Sequence, residues 1–203
     1  MPDNGDPQAV SAPANVAPAS AGLEALMRAA GEGQSGTAGP RPVENWNPPY
    51  CGDIGLKICA DGTWLYQSSP IGRIAIVKLF ASILRTDADG KTYLVTPAEK
   101  VDVTVEDAPF LAVELALSGV GEQQALTFRT NVDDVVTVDA AHPLRFQRQD
   151  PGGGLKPYVL VRGRLEALVT RAVHADLVAL AVPREPGGSQ LGLWSSGVWW
   201  QLA

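Results

Sequence analysis

The sequence predicts an α+β fold built from two copies of a β-β-α-β-β unit, mostly antiparallel. Three observations predict it. A β-branched and aromatic run leads through Ser69-Pro-Ile-Gly-Arg73 into an apolar segment. The same order returns as Pro157-Tyr-Val-Leu-Val-Arg162, then Gly163-Arg164, then a second apolar segment ending at Leu180. Short alternating apolar stretches flank both segments, punctuated by Gly, Pro and Asp turn signals.

Composition bounds what such a fold can do. A chain of 203 residues can bury one large core or two small ones, and the repeat favours two. Hydrophobic residues at 45% and charged residues at 19% exclude a wholly disordered chain. No apolar run approaches the ~20 residues of a membrane helix, so a soluble protein is expected. The formal charge of −6 argues against binding to bulk nucleic acid or an anionic membrane, which require a basic surface. A small anion met by a local arginine cluster stays compatible with it. The first 20 residues carry neither the basic flank nor the apolar core of a secretory signal, and the expected compartment is the cytoplasm. Cys51 and Cys59 are then expected as thiols, Cys59 in the core and Cys51 exposed after Pro48-Pro-Tyr50.

Residues 1–20, rich in Ala, Pro, Ser, Asn and Asp, read as a disordered tail, and 21–42 as a short helix and linker. Leu23, Leu26 and Met27 give that helix an apolar stripe expected to dock on the body. The first unit is expected over 43–109. It opens with a Pro-rich entry loop in which Trp46 fills a gap. A hairpin at 54–58 and 63–67 follows, turning at Asp61-Gly62. Pro70 then enters a largely buried helix at 74–85, with Ser68 and Ser69 as caps. Strands at 92–96 and 101–105 complete the unit. The second unit is expected over 110–203, with strands at 110–117, 124–130, 135–138, 144–148 and 157–161. A helix opened by Gly163-Arg164 and running to Leu180 follows, about 27 Å if continuous, whose early part at 165–169 reads equally as strand. Closing strands at 190–194 and 198–202 turn at Ser195-Ser-Gly197. Aligning the copies lays Ile71-Gly-Arg73 over Arg162-Gly-Arg164, and 93–96 over 192–195.

Trp64 to Tyr66, Ser69-Pro-Ile-Gly-Arg73, Leu94-Val-Thr-Pro97, Glu99-Lys100 and Val105-Glu-Asp-Ala-Pro109 together carry a resemblance. So do Phe128-Arg-Thr-Asn131, His142-Pro-Leu-Arg145 and Trp194-Ser-Ser-Gly197. From about Trp46 to the C-terminus, the sequence resembles the bacterial domain-of-unknown-function 1285 (DUF1285) family. The resemblance implies a duplicated α+β core and a second half superficially like a pleckstrin-homology barrel. It also implies a nucleotide-like ligand site between the halves, with a role in signalling.

No catalytic constellation is legible, and no cofactor is expected. His142 and His174 are the only histidines, and neither sits beside a nucleophile elbow. Cys51 and Cys59 lack metal-ligand spacing, so no metal is expected. Pro151-Gly-Gly-Gly154 has no following Lys-Ser/Thr and reads as a flexible hairpin loop. Glu99, Glu106, Asp107, Asp133 and Asp134 sit in turns, which gather acids for local hydrogen bonding, although Glu99 or Asp107 would be the residue to test for hydrolysis.

The candidate ligand-binding set is Arg73, Thr96, Glu99, Lys100, Asn131, Arg145, Arg162 and Trp194. Arginines at strand ends and helix starts fork onto phosphate or carboxylate, and a tryptophan offers a stacking face. An internal reading stands beside this one, in which Arg73 and Arg162 clamp Glu99, Glu106 or Asp107 across the duplicate interface. The expected function is a non-enzymatic ligand sensor binding a small anionic, nucleotide-like molecule between the units. The alternative is an interaction module that recruits a protein partner through its second unit and N-terminal helix.

Overall fold

The computed structural model describes residues 41–149 and 154–202, together with Ala25, Met27, Arg28 and Gly31, which are helical. The expected tail at 1–20, most of the linker and residues 150–153 of the Gly-rich loop lie outside these residues.

The fold is the expected mixed α+β duplication, realised as two six-stranded sheets. The first contains β1 (Tyr50–Ile58), β2 (Trp64–Tyr66), β3 (Ser69–Pro70), β4 (Leu84–Thr86), β5 (Thr92–Val95) and β6 (Lys100–Val105), in spatial order β3-β2-β1-β6-β5-β4. The second contains β7 (Phe110–Ser118), β8 (Ala125–Thr130), β9 (Val135–Thr137), β10 (Leu144–Arg148), β11 (Leu155–Arg162) and β12 (Leu165–Val169), in order β10-β11-β12-β7-β8-β9. Counted within each unit and read from opposite ends, the two orders are identical. Each unit is a pair of three-stranded antiparallel meanders. They are joined by one parallel pairing of its first and last strands, β1 with β6 and β7 with β12.

The helices break this symmetry. In the first unit α1 (Ile74–Ala81) occupies the connection between β3 and β4. The equivalent connection between β9 and β10 holds no helix, and α2 (Arg171–Ala179) instead follows β12. The alignment of Ile71-Gly-Arg73 with Arg162-Gly-Arg164 is therefore corrected: the former enters a helix, whereas Gly163-Arg164 turns β11 into β12. The topological counterpart of that turn is the Thr96–Glu99 turn between β5 and β6. By the same rule β5 answers to β11, so 93–96 does not lie over 192–195.

Local chemistry explains the other differences. Ser68 does not cap a helix, because Gln67 and Ser68 at φ 47 and 65 form a two-residue hairpin turn that pairs Ser69 and Pro70 with β2. Pro70 then lies on an edge strand, where a missing N–H costs no ladder bond. The helix expected over 74–85 stops at Ala81, where the Ser82 hydroxyl donates to the Leu79 carbonyl at 2.6 Å, and Leu84 onwards pairs with β5. A continuously apolar run satisfies either geometry, and strand pairing decides it here. The segment 165–169 is strand, so α2 has nine residues and spans about 14 Å. In β1, Gly52 and Gly55 at φ 88 and 79 absorb two register shifts against β6, which extends the strand back to Tyr50.

A third sheet, β13 (Val182–Pro183), β14 (Leu191–Ser195) and β15 (Val198–Gln201), is stitched to the end of the second. The buried Ser195 hydroxyl donates to the Val138 carbonyl at 2.7 Å and accepts from the Leu126 N–H at 3.0 Å.

The two units share one hydrophobic cluster, running from Leu56, Phe80 and Leu94 to Phe110, Phe128, Val159 and Leu177. Met27 packs against it, so the N-terminal helical residues reach the body as expected, and Trp46 is part of the same packing. Polar contacts close the seam. Arg162 donates to the carbonyl of Ala81, the last residue of α1, at 2.6 Å, pairs with Asp134, and lies 5.0 Å from the Phe110 ring centre. Lys78 of α1 pairs with Asp133, whose left-handed backbone (φ 68) turns the β8–β9 loop toward the helix. At the other end of the seam, a Cβ on Gly62 would meet the Asn131 amide at 2.9 Å, so this turn needs glycine for close approach as well as for its φ of +83. We predict that Arg162→Met lowers stability by about 2 kcal/mol, since it orphans a helix-end carbonyl and a carboxylate. Arg73→Ala should stay within about 0.5 kcal/mol. Urea denaturation of both variants checks the contrast.

Candidate functional site

The eight sequence-selected residues do not converge on one place. Arg73 is exposed, precedes α1, and its guanidinium has no partner among the described residues. Arg162 grips the opposite end of that helix, about 12 Å along its axis. Of the two readings of this arginine pair, the seam is closed at Arg162, although its partners are Asp134 and the Ala81 carbonyl and not Glu99, Glu106 or Asp107.

Five others serve turns and strands. Thr96 is fully buried; its hydroxyl accepts from the Ala98 and Glu99 N–H groups and closes the β5–β6 turn. Glu99 supplies that turn's carbonyl, and burial pushes its side-chain carboxyl above the ordinary value. Lys100 reaches Asp87 at 3.1 Å and lies 4.4 Å from the centre of the Tyr93 ring. Asn131 accepts the Leu111 N–H at 3.0 Å. Trp194 stacks edge-on with Trp199, centroids 5.1 Å apart, and its carbonyl accepts from Gln124.

Arg145 is the selected residue that lines a groove. β10 and β11 pair so that Arg145 lies opposite Tyr158 and Gln147 opposite Lys156. This face meets Glu106 and Asp107, where the first unit runs into the second. Together with Arg148 and Gln149 they enclose a polar groove of about 590 Å³. The strand alternation was legible in the sequence. Arg148, Lys156 and Tyr158 were missed because their convergence depends on the β10–β11 register across a Gly-rich loop.

The groove's acids are already engaged. Glu106 pairs with Lys57 at 2.5 Å and accepts the Ala60 N–H at 2.8 Å, which holds its carboxyl below the usual range. Burial pushes the Asp107 carboxyl up, but hydrogen bonds from Lys156 (2.6 Å) and Tyr158 (2.7 Å) outweigh it and leave the group depressed. An ionised carboxylate held by two donors is a poor general base, so Asp107 reads as an anchor. Burial and Asp107 together push the Tyr158 phenol up. Arg145 forks onto Glu166 at 2.6 and 2.5 Å, donates to Gln147 at 3.0 Å, and lies 4.1 Å over the Tyr158 ring centre. Arg148 has no partner among the described residues. What the groove still offers is donors: the Arg148 guanidinium, the unused protons of Lys156, and the glutamine amides.

Elsewhere, His142 closes a local turn on Asp139, with Nδ1 3.1 Å from the carboxylate. Cys51 is exposed and Cys59 half-buried, both as free thiols. Among the described residues no group of three or more His, Cys, Asp or Glu could hold a metal, and no helix is long and apolar enough to cross a membrane.

Comparison with known proteins gives a consistent picture. Residues 41–108 match the domain of unknown function (DUF1285), N-terminal domain, and 109–202 match the protein of unknown function (DUF1285), C-terminal domain. The chain is similar to the crystal structure of a DUF1285 family protein from Silicibacter pomeroyi DSS-3, at 43% identity and a TM-score of 0.79, covering 89% of this chain and 93% of that one. A DUF1285 family protein from Shewanella baltica OS155 matches at 28% identity and a TM-score of 0.49, covering 62% of this chain and 91% of that one. No curated protein matches.

The Asp107 clasp makes a signed prediction. A carboxyl depressed on folding contributes stability above its unfolded pKa of about 3.9 and loses it as pH falls through the lower folded value. The stability gap between the native chain and Asp107→Asn should be constant near neutrality and shrink below about pH 4. Urea midpoints measured across that range check it.

Proposed function

The chain belongs to the DUF1285 family, and on that footing we propose that it is a ligand-sensing protein that binds a small anionic, nucleotide-like molecule in the Arg145–Arg148–Lys156 groove. The observation that carries this reading is the groove's balance of hydrogen-bonding groups. Both acids are paired with internal donors, while among the described residues the Arg148 guanidinium has no partner and Lys156 keeps protons to give. An anion entering here replaces water on these donors and meets no unpaired carboxylate. Arg148 is the natural fork for a phosphoryl group.

A planar base has a place in the same arrangement. Glu166 and the Tyr158 ring hold the Arg145 guanidinium flat, and its outer face is a stacking platform. The volume of about 590 Å³ is in the range of small-molecule sites. The groove runs along the junction of the units, so occupancy would bear on how they are held, which supports a role in signalling.

A second reading, recruitment of a protein partner, rests on the tip of the β7–β8 hairpin, where Val120 is 83% and Leu117 50% exposed. The N-terminal helical residues add less to it than expected, since Met27 is turned to the core.

Calorimetric titration with inorganic phosphate and a panel of nucleoside mono- and diphosphates tests the leading reading. A nucleotide is expected to bind more tightly than phosphate, and Arg148→Ala to weaken it at least about tenfold. Absence of binding across the panel, or affinity indifferent to Arg148, would sink the proposal.

A further inference from the structure

A second cleft opens on the same seam. The short turn Val43–Asn45, Trp46 and Asn47 face the β11–β12 turn, Gly163 and Arg164, across a floor made by Arg85 and Asp87 at the end of β4. The enclosed volume is about 510 Å³.

The floor is internally satisfied. Arg85, only 8% exposed, gives one nitrogen to the carbonyls of Val43 (2.8 Å) and Trp46 (2.7 Å) and two others to Asp87 at 2.5 and 3.3 Å. Asp87 also takes Lys100 at 3.1 Å; burial pushes its carboxyl up, and these donors outweigh it. Arg85 thereby shapes the rim, because it fixes the backbone that carries Glu44 and Trp46.

The walls are different. Glu44 on one side and Arg164 on the other each lack a partner among the described residues, and they do not pair with each other. Glu44 lies close to the opposing turn, since a Cβ on Gly163 would lie 2.9 Å from its Oε1. Gly163 adopts φ +52 there, a turn conformation that favours glycine.

We infer that this cleft is a site for a small zwitterion, a molecule with an ammonium at one end and a carboxylate at the other, such as an ω-amino acid. The carboxylate forks onto Arg164, and the ammonium lies between Glu44 and the face of the Trp46 indole. Discrimination follows from charge. A simple anion at Arg164 leaves Glu44 unpaired beside it, and a simple cation at Glu44 leaves Arg164 unpaired. Only a ligand carrying both charges neutralises both walls.

Calorimetric titration of the full chain with glycine, 4-aminobutyrate and 6-aminohexanoate tests this, with butyrate and butylammonium as single-charge controls. At least one amino acid of the series is expected to bind about tenfold or more tightly than either control, and Glu44→Gln and Arg164→Gln each to remove most of that gain. Arg148→Ala, in the other groove, is expected to leave it unchanged, which separates this site from the anion groove. Both substituted side chains are exposed, so melting curves close to that of the native chain are expected. The inference is overturned if no amino acid of the series binds, if the controls bind equally well, or if either substitution leaves the affinity unaltered.

Discussion

The guanidinium of Arg162 is the contact on which the rest of the molecule depends. Ser82 and Ile83 take the carbonyls of Lys78, Leu79 and Phe80, which leaves the carbonyl of Ala81, a buried residue, to find a donor elsewhere. Arg162 supplies a donor to Ala81 and a positive charge at the negative end of the helix, and is itself neutralised by Asp134. With that end fixed, the chain can reverse through Ser82 and Ile83 into β4, and the first sheet takes its place beside the second. β11 carries further seam contacts. Lys156 and Tyr158 clasp Asp107 from one end of the strand, and Gly163-Arg164 in its turn face Glu44 at the other. Both candidate ligand sites are spaces left along this strand.

Much of the architecture was legible in the sequence, and the reasons for the errors are specific. The hairpin turning at Asp61-Gly62, the strands around Thr92 and Val101, and the closing Ser195-Ser-Gly197 turn follow from alternation and turn chemistry, which act locally. The duplication was legible too. Its register was not, because a Gly-Arg pair before an apolar run has two physical causes. At Arg73 it precedes a helix; at Gly163 the glycine makes a hairpin turn possible at φ +52. Gln67 and Ser68 were hidden for a related reason, as a left-handed turn built without glycine carries no compositional mark.

Among the candidate site residues, the arginines are the ones whose pairing differs most, and sequence cannot say which are already satisfied. Arg85 was not singled out, yet it is the most buried of them and orders one cleft wall. Arg145 and Arg162 are spent on Glu166 and on Asp134 with Ala81, whereas the Arg148 and Arg164 guanidinium groups have no partner among the described residues. In a chain of net charge −6, such unspent cations matter because most charges on the seam are cancelled by a neighbour. Availability is a property of pairing geometry. It emerges once β10 is set against β11 and the Val43–Asn45 turn against Gly163.

The seam makes two similar units into one cooperative body. Native-state hydrogen exchange tests it most directly, by comparing the amides of Leu94 in β5 and Val159 in β11, both fully buried and one in each unit. Equal opening free energies are expected at the two positions, falling together in Arg162→Met. Unequal values in the native chain, or a fall confined to one unit in the variant, would contradict it.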